Sequence, residues 1–397
     1  MQFETISILS APDNYSPSYV PLIYVVSVGA GLEENENFRY RCAIEVDGSI
    51  IAILKSVPHP EHGWGRFDIS GVVQSGLELQ KSWDNGIFPS RNSWESVTVR
   101  FGWEYVDTNG VFQLVDNNAN QNRIYFNGAP GYNEWIDLKA TAPWLITGTA
   151  TNKYPLTVRR NIYTAPGTKQ WLYFLNDNHN HIRYLEVRDT ASNDAAELLL
   201  PSALQNNTDG KLVGFRMDKA YIESQTALVI GNSYTVRTLN DGFGPTSELI
   251  TVHMLPCHRW ELYSLYYMNR WGGVDSFSFN GKSERRENVQ RETYGRTQPR
   301  INADGTIDFD GKYHTERQYH TSWETEYQLN TGWITEEQQE TLRDGLASPL
   351  AWMETPTNSI VPVQMLSDQL EIRSRQDGLI SSTIRVAYRQ PNLRQGG

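Results

Sequence analysis

Apolar and polar residues alternate with a period of two along most of the chain, which is the pattern of strands with one buried face. Runs of this kind occur at residues 22–28, 39–46, 49–54, 96–106, 110–115, 171–175 and 182–187. Turn dipeptides punctuate the chain, namely Asp47-Gly48, Asn109-Gly110, Asp304-Gly305 and Asp310-Gly311. Asn-Gly and Asp-Gly supply the positive-φ residues of tight hairpins. The pattern predicts an all-β, mainly antiparallel protein with tandem β-sandwich domains.

Breaks in this pattern divide the chain into three regions. Residues 141–155 are rich in Thr, Gly and Pro and mark a first boundary, and the strand-like run SELITVH closes the second region. We expect an N-terminal β-sandwich at residues 1–145, a second β-sandwich at 146–254, and a C-terminal β domain at 255–397.

The spacing of capping residues predicts one short helix in the C-terminal domain, at residues 336–347. Thr335 stands at the N-cap position, and Gln338 stands three residues later, where a capping box requires Glu or Gln. Leu342 and Leu346 are four residues apart and form a narrow apolar face. We expect this face to lie against a sheet.

Composition and charge exclude several functions. The chain has 397 residues, of which 46 are acidic and 35 basic, so its formal net charge is -11. This charge opposes non-specific binding to a phosphate backbone or an anionic membrane. No run approaches the ~18 apolar residues of a membrane-spanning helix, and the first residues lack the pattern of a signal peptide. We therefore expect no membrane insertion, and synthesis in a cytosol.

One group of residues has the spacing of a metal site. His179 and His181 would project from the same face of a strand, and Glu186 could supply a carboxylate ligand. The group resembles the first metal motif of cupins, although Tyr173 and Asn193 stand where that family has glycines. A cupin-like metal enzyme is therefore one alternative. The other is a polar hairpin tip with solvated imidazoles.

Other signatures of chemistry are weaker. Cys42 and Cys257 are the only cysteines, so neither a disulfide framework nor a Cys-rich zinc site can form. His253, Cys257 and His258 lie within six residues but lack further ligands, which favours an interdomain turn. No nucleophile elbow, phosphate-binding loop, H-E-x-x-H motif or dinucleotide fingerprint is present. We predict no catalytic residue, no metal ligand and no cofactor.

Aromatic residues raise a second alternative, a carbohydrate-binding or host-receptor-binding module. Sugar rings stack on aromatic faces, whereas aromatic residues of sheet proteins more often lie in cores and contacts. The candidates for a sugar platform are Trp64, Trp83, Trp94, Trp103, Trp135 and Trp144.

Residues 281–296, GKSERRENVQRETYGR, interrupt the aromatic pattern with five basic and three acidic residues. Mixed charge on an extended arm favours complementary pairing with a neighbouring copy of the chain, and a solvated loop is the alternative. The candidate contact residues between copies are Arg285, Arg286, Arg291, Arg296, Trp271 and Tyr294.

Three segments resemble virion proteins of tailed bacteriophages that infect Bacteroidota, crAss-like phages among them. The first comprises residues 10–29 and 38–77, which include SAPDNYSPSYVPLIYVVSVG. The second, LYSLYYMNRWGGVDSFSFNGKSERRENVQRETYGR at residues 262–296, is the most specific. The third begins at Ile334 and includes SPLAWME and ISSTIRVAYRQP, and it is similar to tail-ring, distal-tail and baseplate proteins.

This resemblance implies a structural subunit of the virion, without cofactor or catalytic residue. Such a subunit would form a homo-oligomeric ring in the tail, baseplate or collar and would contact neighbouring virion proteins. It would be assembled in the cytoplasm of the bacterial host. A ring around the tail axis could also line a DNA channel passively, because negative charge lets DNA slide rather than bind.

Overall fold

The computed structural model describes residues 5–29, 31–79, 83, 86–148, 151–157, 159–178, 181–205, 211–256, 259–295, 300–308, 316–355, 359–367, 380–388 and 392–394. The strands up to residue 254 are β1 (Ser7–Ser10), β2 (Ser16–Pro17), β3 (Ile23–Ser27), β4 (Glu36–Val46), β5 (Ser49–Ser56), β6 (Gly65–Asp68), β7 (Ile87–Pro89), β8 (Trp94–Val106), β9 (Phe112–Phe126), β10 (Leu145–Ile146), β11 (Asn161–Thr164), β12 (Trp171–Asn176), β13 (Tyr184–Asp189), β14 (Ala195–Leu199), β15 (Leu212–Arg216), β16 (Ser233–Leu239) and β17 (Ile250–Met254).

The remaining strands are β18 (Tyr263–Met268), β19 (Val274–Phe279), β20 (Glu284–Gly295), β21 (Arg300–Ile301), β22 (Ile307–Asp308), β23 (Glu316–Ile334), β24 (Ala351–Glu354), β25 (Ile360–Met365), β26 (Ile380–Tyr388) and β27 (Asn392–Arg394). The helices are α1 (Ser70–Gly76), α2 (Tyr132–Lys139), α3 (Ser202–Gln205), α4 (Lys219–Gln225) and α5 (Glu336–Leu346).

The first sandwich packs a three-stranded sheet, β1-β3-β6, against a five-stranded sheet, β2-β9-β8-β4-β5. Aromatic rings join the two layers. The ring of Phe101 in the larger sheet lies 5.3 Å from that of Tyr24 and 6.0 Å from that of Phe67 in the smaller sheet. The hydroxyls of Tyr24 and Tyr125 are 2.9 Å apart in the same core. Alternate residues of β3, β4 and β6 supply the interior, as the period of two predicts.

The second sandwich packs the sheet β10-β12-β15-β7 against the sheet β11-β17-β16-β13-β14. One hydrophobic core contains residues of both sheets, including Leu172 and Phe215 from the first and Leu185 and Val236 from the second. Most strand pairs in the chain are antiparallel, while β2 with β9, β10 with β12, and β11 with β17 are parallel. The all-β, mainly antiparallel architecture with tandem sandwiches is confirmed.

The chain divides into two compact units. Unit 1 comprises residues 1–254 and 268–275, and unit 2 comprises residues 255–267 and 276–397. Both sandwiches belong to unit 1, and β7 joins a sheet of the second sandwich although it precedes residue 145. The division expected at residues 145 and 146 falls within β10, and separate folding of these two regions stays a prediction.

Unit 2 is built on one large sheet in the order β19-β18-β24-β25-β26-β23-β20, with β27 paired to β23. The predicted helix, α5, packs on this sheet, because Leu342 shares a core with Leu265 and Ile384. The Thr335 hydroxyl accepts a hydrogen bond from the Gln338 backbone at 3.3 Å, and the Gln338 side chain accepts one from the Thr335 backbone at 2.9 Å. This is the capping box expected from the spacing.

A glycine allows α5 to approach the sheet closely. A Cβ atom on Gly345 would lie 2.9 Å from Cε1 of Tyr267, which is closer than real Cβ contacts permit. The Tyr267 hydroxyl donates a hydrogen bond to the Thr341 carbonyl at 2.8 Å, which ties α5 to β18. Within the described part of the chain, no helix has both the length and the apolar character needed to cross a bilayer.

Candidate assembly interface

An exposed two-stranded ribbon extends from the sheet of unit 2. Strand β20 pairs antiparallel with β23, from Glu284 opposite Gln328 to Gly295 opposite Glu316. On the other side of β23, β26 pairs only with residues 326–334, and β27 pairs with residues 321–323. We call β20 together with residues 316–328 of β23 the ribbon.

Every residue of β20 is exposed to solvent. The strand forms nevertheless, because β23 provides a backbone ladder along its whole length. Most side chains of ERRENVQRETYG are polar, so the strand gains little free energy from burial. A 12-residue strand that contributes so little to the core of its unit indicates a contact with another molecule.

The faces of the ribbon carry charges of both signs. Arg285 and Glu287 lie on one face and form an ion pair at 2.8 Å, while Glu284 and Arg286 lie on the opposite face and form one at 3.1 Å. Arg291 is exposed and makes no ion pair with any residue that the structure describes. Its guanidinium is therefore available to a carboxylate of another chain.

Apolar side chains occupy the middle and the end of the ribbon. Val289 is 44% exposed and lies directly opposite Trp323 of β23. Toward the end, the rings of Tyr294 and Tyr319 are 6.2 Å apart. Tyr319 is the extra residue of a β-bulge, and a hydrogen bond to Glu292 raises the pKa of its hydroxyl.

The edge of the ribbon is open. β20 is the last strand of the sheet, so alternate backbone N–H and C=O groups along it lack a strand partner among the described residues. At the opposite edge of the sheet, every residue of β19 is buried. The ribbon therefore presents the sheet edge of unit 2 at which another strand could add.

The structure brings together four of the six predicted contact residues. Arg285, Arg286, Arg291 and Tyr294 all lie on β20. Arg296 lies outside the described residues. Trp271 belongs to unit 1, where it is 3% exposed.

The position of Trp271 follows from its packing. Its ring stacks on that of Trp144 at 5.0 Å. In this position the indole contributes to its own core rather than offering a surface to a second chain.

The residues of the cupin-like hypothesis have other partners. His179 lies outside the described residues, and the imidazole of His181 is hydrogen-bonded to the Asp177 carboxylate. The Glu186 carboxylate binds two guanidinium groups, those of Arg188 at 2.7 Å and Arg237 on the neighbouring strand. Burial alone would raise the pKa of Glu186, but these hydrogen bonds outweigh it and the pKa is lowered. Glu186 is thus held as a carboxylate by arginines, which repel a cation.

No cluster of three or more potential metal ligands exists among the described residues. In the other histidine group, Cys257 and His258 lie outside those residues, and the His253 ring stacks on Tyr163 at 5.0 Å.

The tryptophans of the carbohydrate hypothesis divide into two sets. Trp103, Trp135 and Trp144 are buried, so their rings cannot stack on a sugar in this structure. The other three are half-buried, namely Trp64, Trp83 and Trp94. Trp64 already stacks on His59, with ring centroids 4.3 Å apart.

Sequence reasoning missed a buried polar network in unit 1. Nη2 of Arg159 lies 2.6 Å from Oδ1 of Asp275, and the side chains are 3% and 2% exposed. The Thr157 hydroxyl donates to the second oxygen of Asp275 at 2.8 Å. The one sequence signal is an Asp within the otherwise apolar and small-residue run WGGVDSFSF. Its partners lie more than 110 positions away.

Comparison with known proteins adds no family. Neither a protein family nor a curated protein matches the chain. Among solved structures, the chain is similar to the FN1–FN3 domains of chicken CNTN1, with 8% sequence identity over 82% of this chain and 91% of that chain. The TM-score is 0.19, so this likeness carries no argument about fold or function.

Proposed function

We propose that this protein is a structural subunit of a bacteriophage virion, which forms a ring in the tail, baseplate or collar by contacts between copies. The observation that carries the proposal is the ribbon. Every residue of its strand β20 is exposed, and β20 is the edge strand of the sheet. Residues 262–296, which include β20, resemble virion proteins, and this resemblance supports the same role.

The charge pattern of the ribbon suits a protein contact better than a nucleic-acid contact. β20 carries three Arg and three Glu, so its charges cancel, whereas a phosphate-binding strand requires an excess of positive charge. Mixed charges give specificity to contacts between proteins. The whole chain is also negative, at -11, which fits a ring through which DNA passes without binding.

The first experiment examines the purified full-length protein by negative-stain electron microscopy and native mass spectrometry. Closed rings with a fixed number of subunits are expected. A monomer at every accessible concentration, alone and mixed with other tail proteins of the same genome, would overturn self-assembly.

The second experiment tests the place of the protein in the particle. Immunogold labelling of particles produced from the encoding genome should give label at one level of the tail or collar. Intact particles that contain none of this chain by mass spectrometry would overturn the virion role, whatever the purified protein does.

A further inference from the structure

The open edge of β20 can be matched to a particular partner. We propose that β20 pairs antiparallel with β20 of a second copy, around a two-fold axis that passes between the two Val289 residues. This inference rests on the proposed self-assembly of the chain and adds one contact segment and its register. A two-fold contact joins copies in pairs, so a ring also requires a second contact on each copy. The reasons are geometric and electrostatic.

Symmetry restricts the possible registers. In an antiparallel pair, directly opposite residues point to the same face of the sheet, while neighbours along one strand point to opposite faces. A two-fold axis keeps each residue and its copy on the same face. The axis must therefore pass between two copies of one residue, and never between two different residues.

The register centred on Val289 is complementary in charge. Arg286 then lies opposite Glu292 of the second copy, and Glu287 lies opposite Arg291. Symmetry repeats each pair, which gives four pairs of opposite charge and no pair of like charge within the strand. The pairs occupy both faces, because residues 286 and 287 point to opposite sides.

The register centred one residue earlier, on Asn288, is repulsive. It places Arg285 opposite Arg291 and Glu284 opposite Glu292, each pair again occurring twice. Like charges placed directly opposite each other destabilise a strand pair.

Other registers lack the same complementarity. With the axis at Gln290, no two charged residues of β20 face each other. With the axis at Glu287 or at Arg291, a charged residue faces its own copy. Among the registers centred on residues 287 to 291, electrostatics therefore selects the one at Val289.

The centre of this register is apolar. Val289 is 44% exposed and would lie against the second Val289, and each has Trp323 as its other cross-strand neighbour. Four apolar side chains would then form one row across the joined strands, with the charged pairs on both sides. An apolar centre within a polar rim is the arrangement of stable protein interfaces.

The ion pairs within one chain do not oppose this contact. The side chains of the Arg285–Glu287 and Arg286–Glu284 pairs are all at least half exposed, and such pairs contribute little to stability. A guanidinium has five N–H donors, so Arg286 can bind Glu292 of the second copy while it keeps Glu284.

Disulfide cross-linking tests the register directly. Under oxidising conditions, Val289→Cys in the full-length protein should give a covalent dimer, because residue 289 alone lies opposite its own copy. Asn288→Cys and Gln290→Cys should not. A mixture of Glu287→Cys and Arg291→Cys proteins should give the mixed dimer, while neither protein should cross-link alone. The unmodified chain serves as the control, because it shows any cross-linking through the native Cys42 and Cys257.

Charge reversal tests the energetic argument. Arg291→Glu turns two attractive pairs into repulsive ones and should weaken self-association about tenfold, as measured by sedimentation equilibrium. Adding Glu287→Arg should restore it. Arg285→Glu changes the net charge equally but faces Thr293 of the second copy, so it should change the association constant by less than about threefold.

The outcomes separate this inference from the proposed function. Equal cross-linking at 288, 289 and 290, or stronger association of Arg291→Glu, would overturn the pairing. So would a wild-type chain that assembles although Val289→Cys does not cross-link, and in that case the ring proposal would stand. A chain that cross-links through residue 289 without ever forming rings would overturn the ring and leave the pairing intact. A chain that stays monomeric in every assay would overturn both.

Discussion

The ion pair between Arg159 and Asp275 illustrates how single residues stabilise unit 1. Both side chains are almost fully buried, and each carries the charge that compensates the other. The Thr157 hydroxyl satisfies the remaining oxygen of the carboxylate. Removing the Asp275 carboxylate would take away the counter-charge of a buried guanidinium, which costs more than the net value of the intact pair.

We predict that Asp275→Ala lowers the free energy of unfolding by about 3–5 kcal/mol, as measured by urea denaturation of the full-length protein. The double variant Arg159→Met with Asp275→Leu is the matched control, because it removes both charges and keeps apolar volume. Its loss should be clearly smaller. A loss of under about 1 kcal/mol for the single variant would contradict the prediction.

Glu186 gives a prediction about pH. Its pKa is lowered in the folded protein, so its pairing contributes stability above the unfolded value of about 4.3 and loses it as the pH falls through the folded value. The difference in unfolding free energy between wild type and Glu186→Gln should therefore be constant near neutral pH and shrink in acid. Chemical denaturation at a series of pH values measures it. A difference in unfolding free energy that grows in acid would contradict the lowered pKa of Glu186.

For single residues, the sequence shows the chemical type of a side chain but not which side chains it contacts in the fold. Trp271 was expected at a contact between copies, but an aromatic side chain suits a core equally well, and the choice depends on Trp144, more than 120 positions away. The spacing of His181 and Glu186 suggested a metal site, while the arginines that bind Glu186 come in part from another strand.

At the scale of single elements, α5 shows what local spacing determines. The capping box at Thr335 satisfies backbone groups that would otherwise lack partners at the start of the helix. We predict that Thr335→Ala lowers the free energy of unfolding by about 1 kcal/mol, measured by urea denaturation. Thr335→Ser keeps the hydroxyl and should stay close to wild type. Equal losses for both variants would show that the cap hydrogen bond contributes nothing.

The helix was predictable because both capping residues lie within four positions of each other. The ribbon was predictable only in part. Its mixed charge and extended character are visible in residues 281–296. The pairing with β23, however, joins residues that have 20 to 43 others between them, from Gly295 opposite Glu316 to Glu284 opposite Gln328. Periodicity identifies a strand, whereas its neighbour is set by the topology of the whole sheet.

For the whole molecule, the ribbon should be separable from folding. We predict that replacing residues 288–324 with Asn-Gly leaves a folded protein that no longer pairs through β20 and therefore no longer forms rings. The two-residue turn would close the ladder at Glu287 opposite Thr325, and the buried part of β23 would be retained. Circular dichroism and sedimentation velocity measure the two properties. A shortened protein that still assembles would place the contact elsewhere.

The charged contacts on the ribbon are exposed, so the assembly should weaken as the salt concentration rises.

A two-fold contact joins copies in pairs, so a closed assembly in which every copy uses it contains an even number of subunits. Native mass spectrometry can test this number directly.

The two edges of the sheet in unit 2 differ, since β19 is buried throughout and β20 is exposed throughout. Fibrillar growth by strand addition requires two accessible edges on every molecule, one to receive a strand and one to offer the next. Among the described residues, the exposed edge strand of this sheet is β20. A second copy paired to β20, as proposed above, would occupy this edge, so that the long exposed strand would be protected from amyloid-like polymerisation.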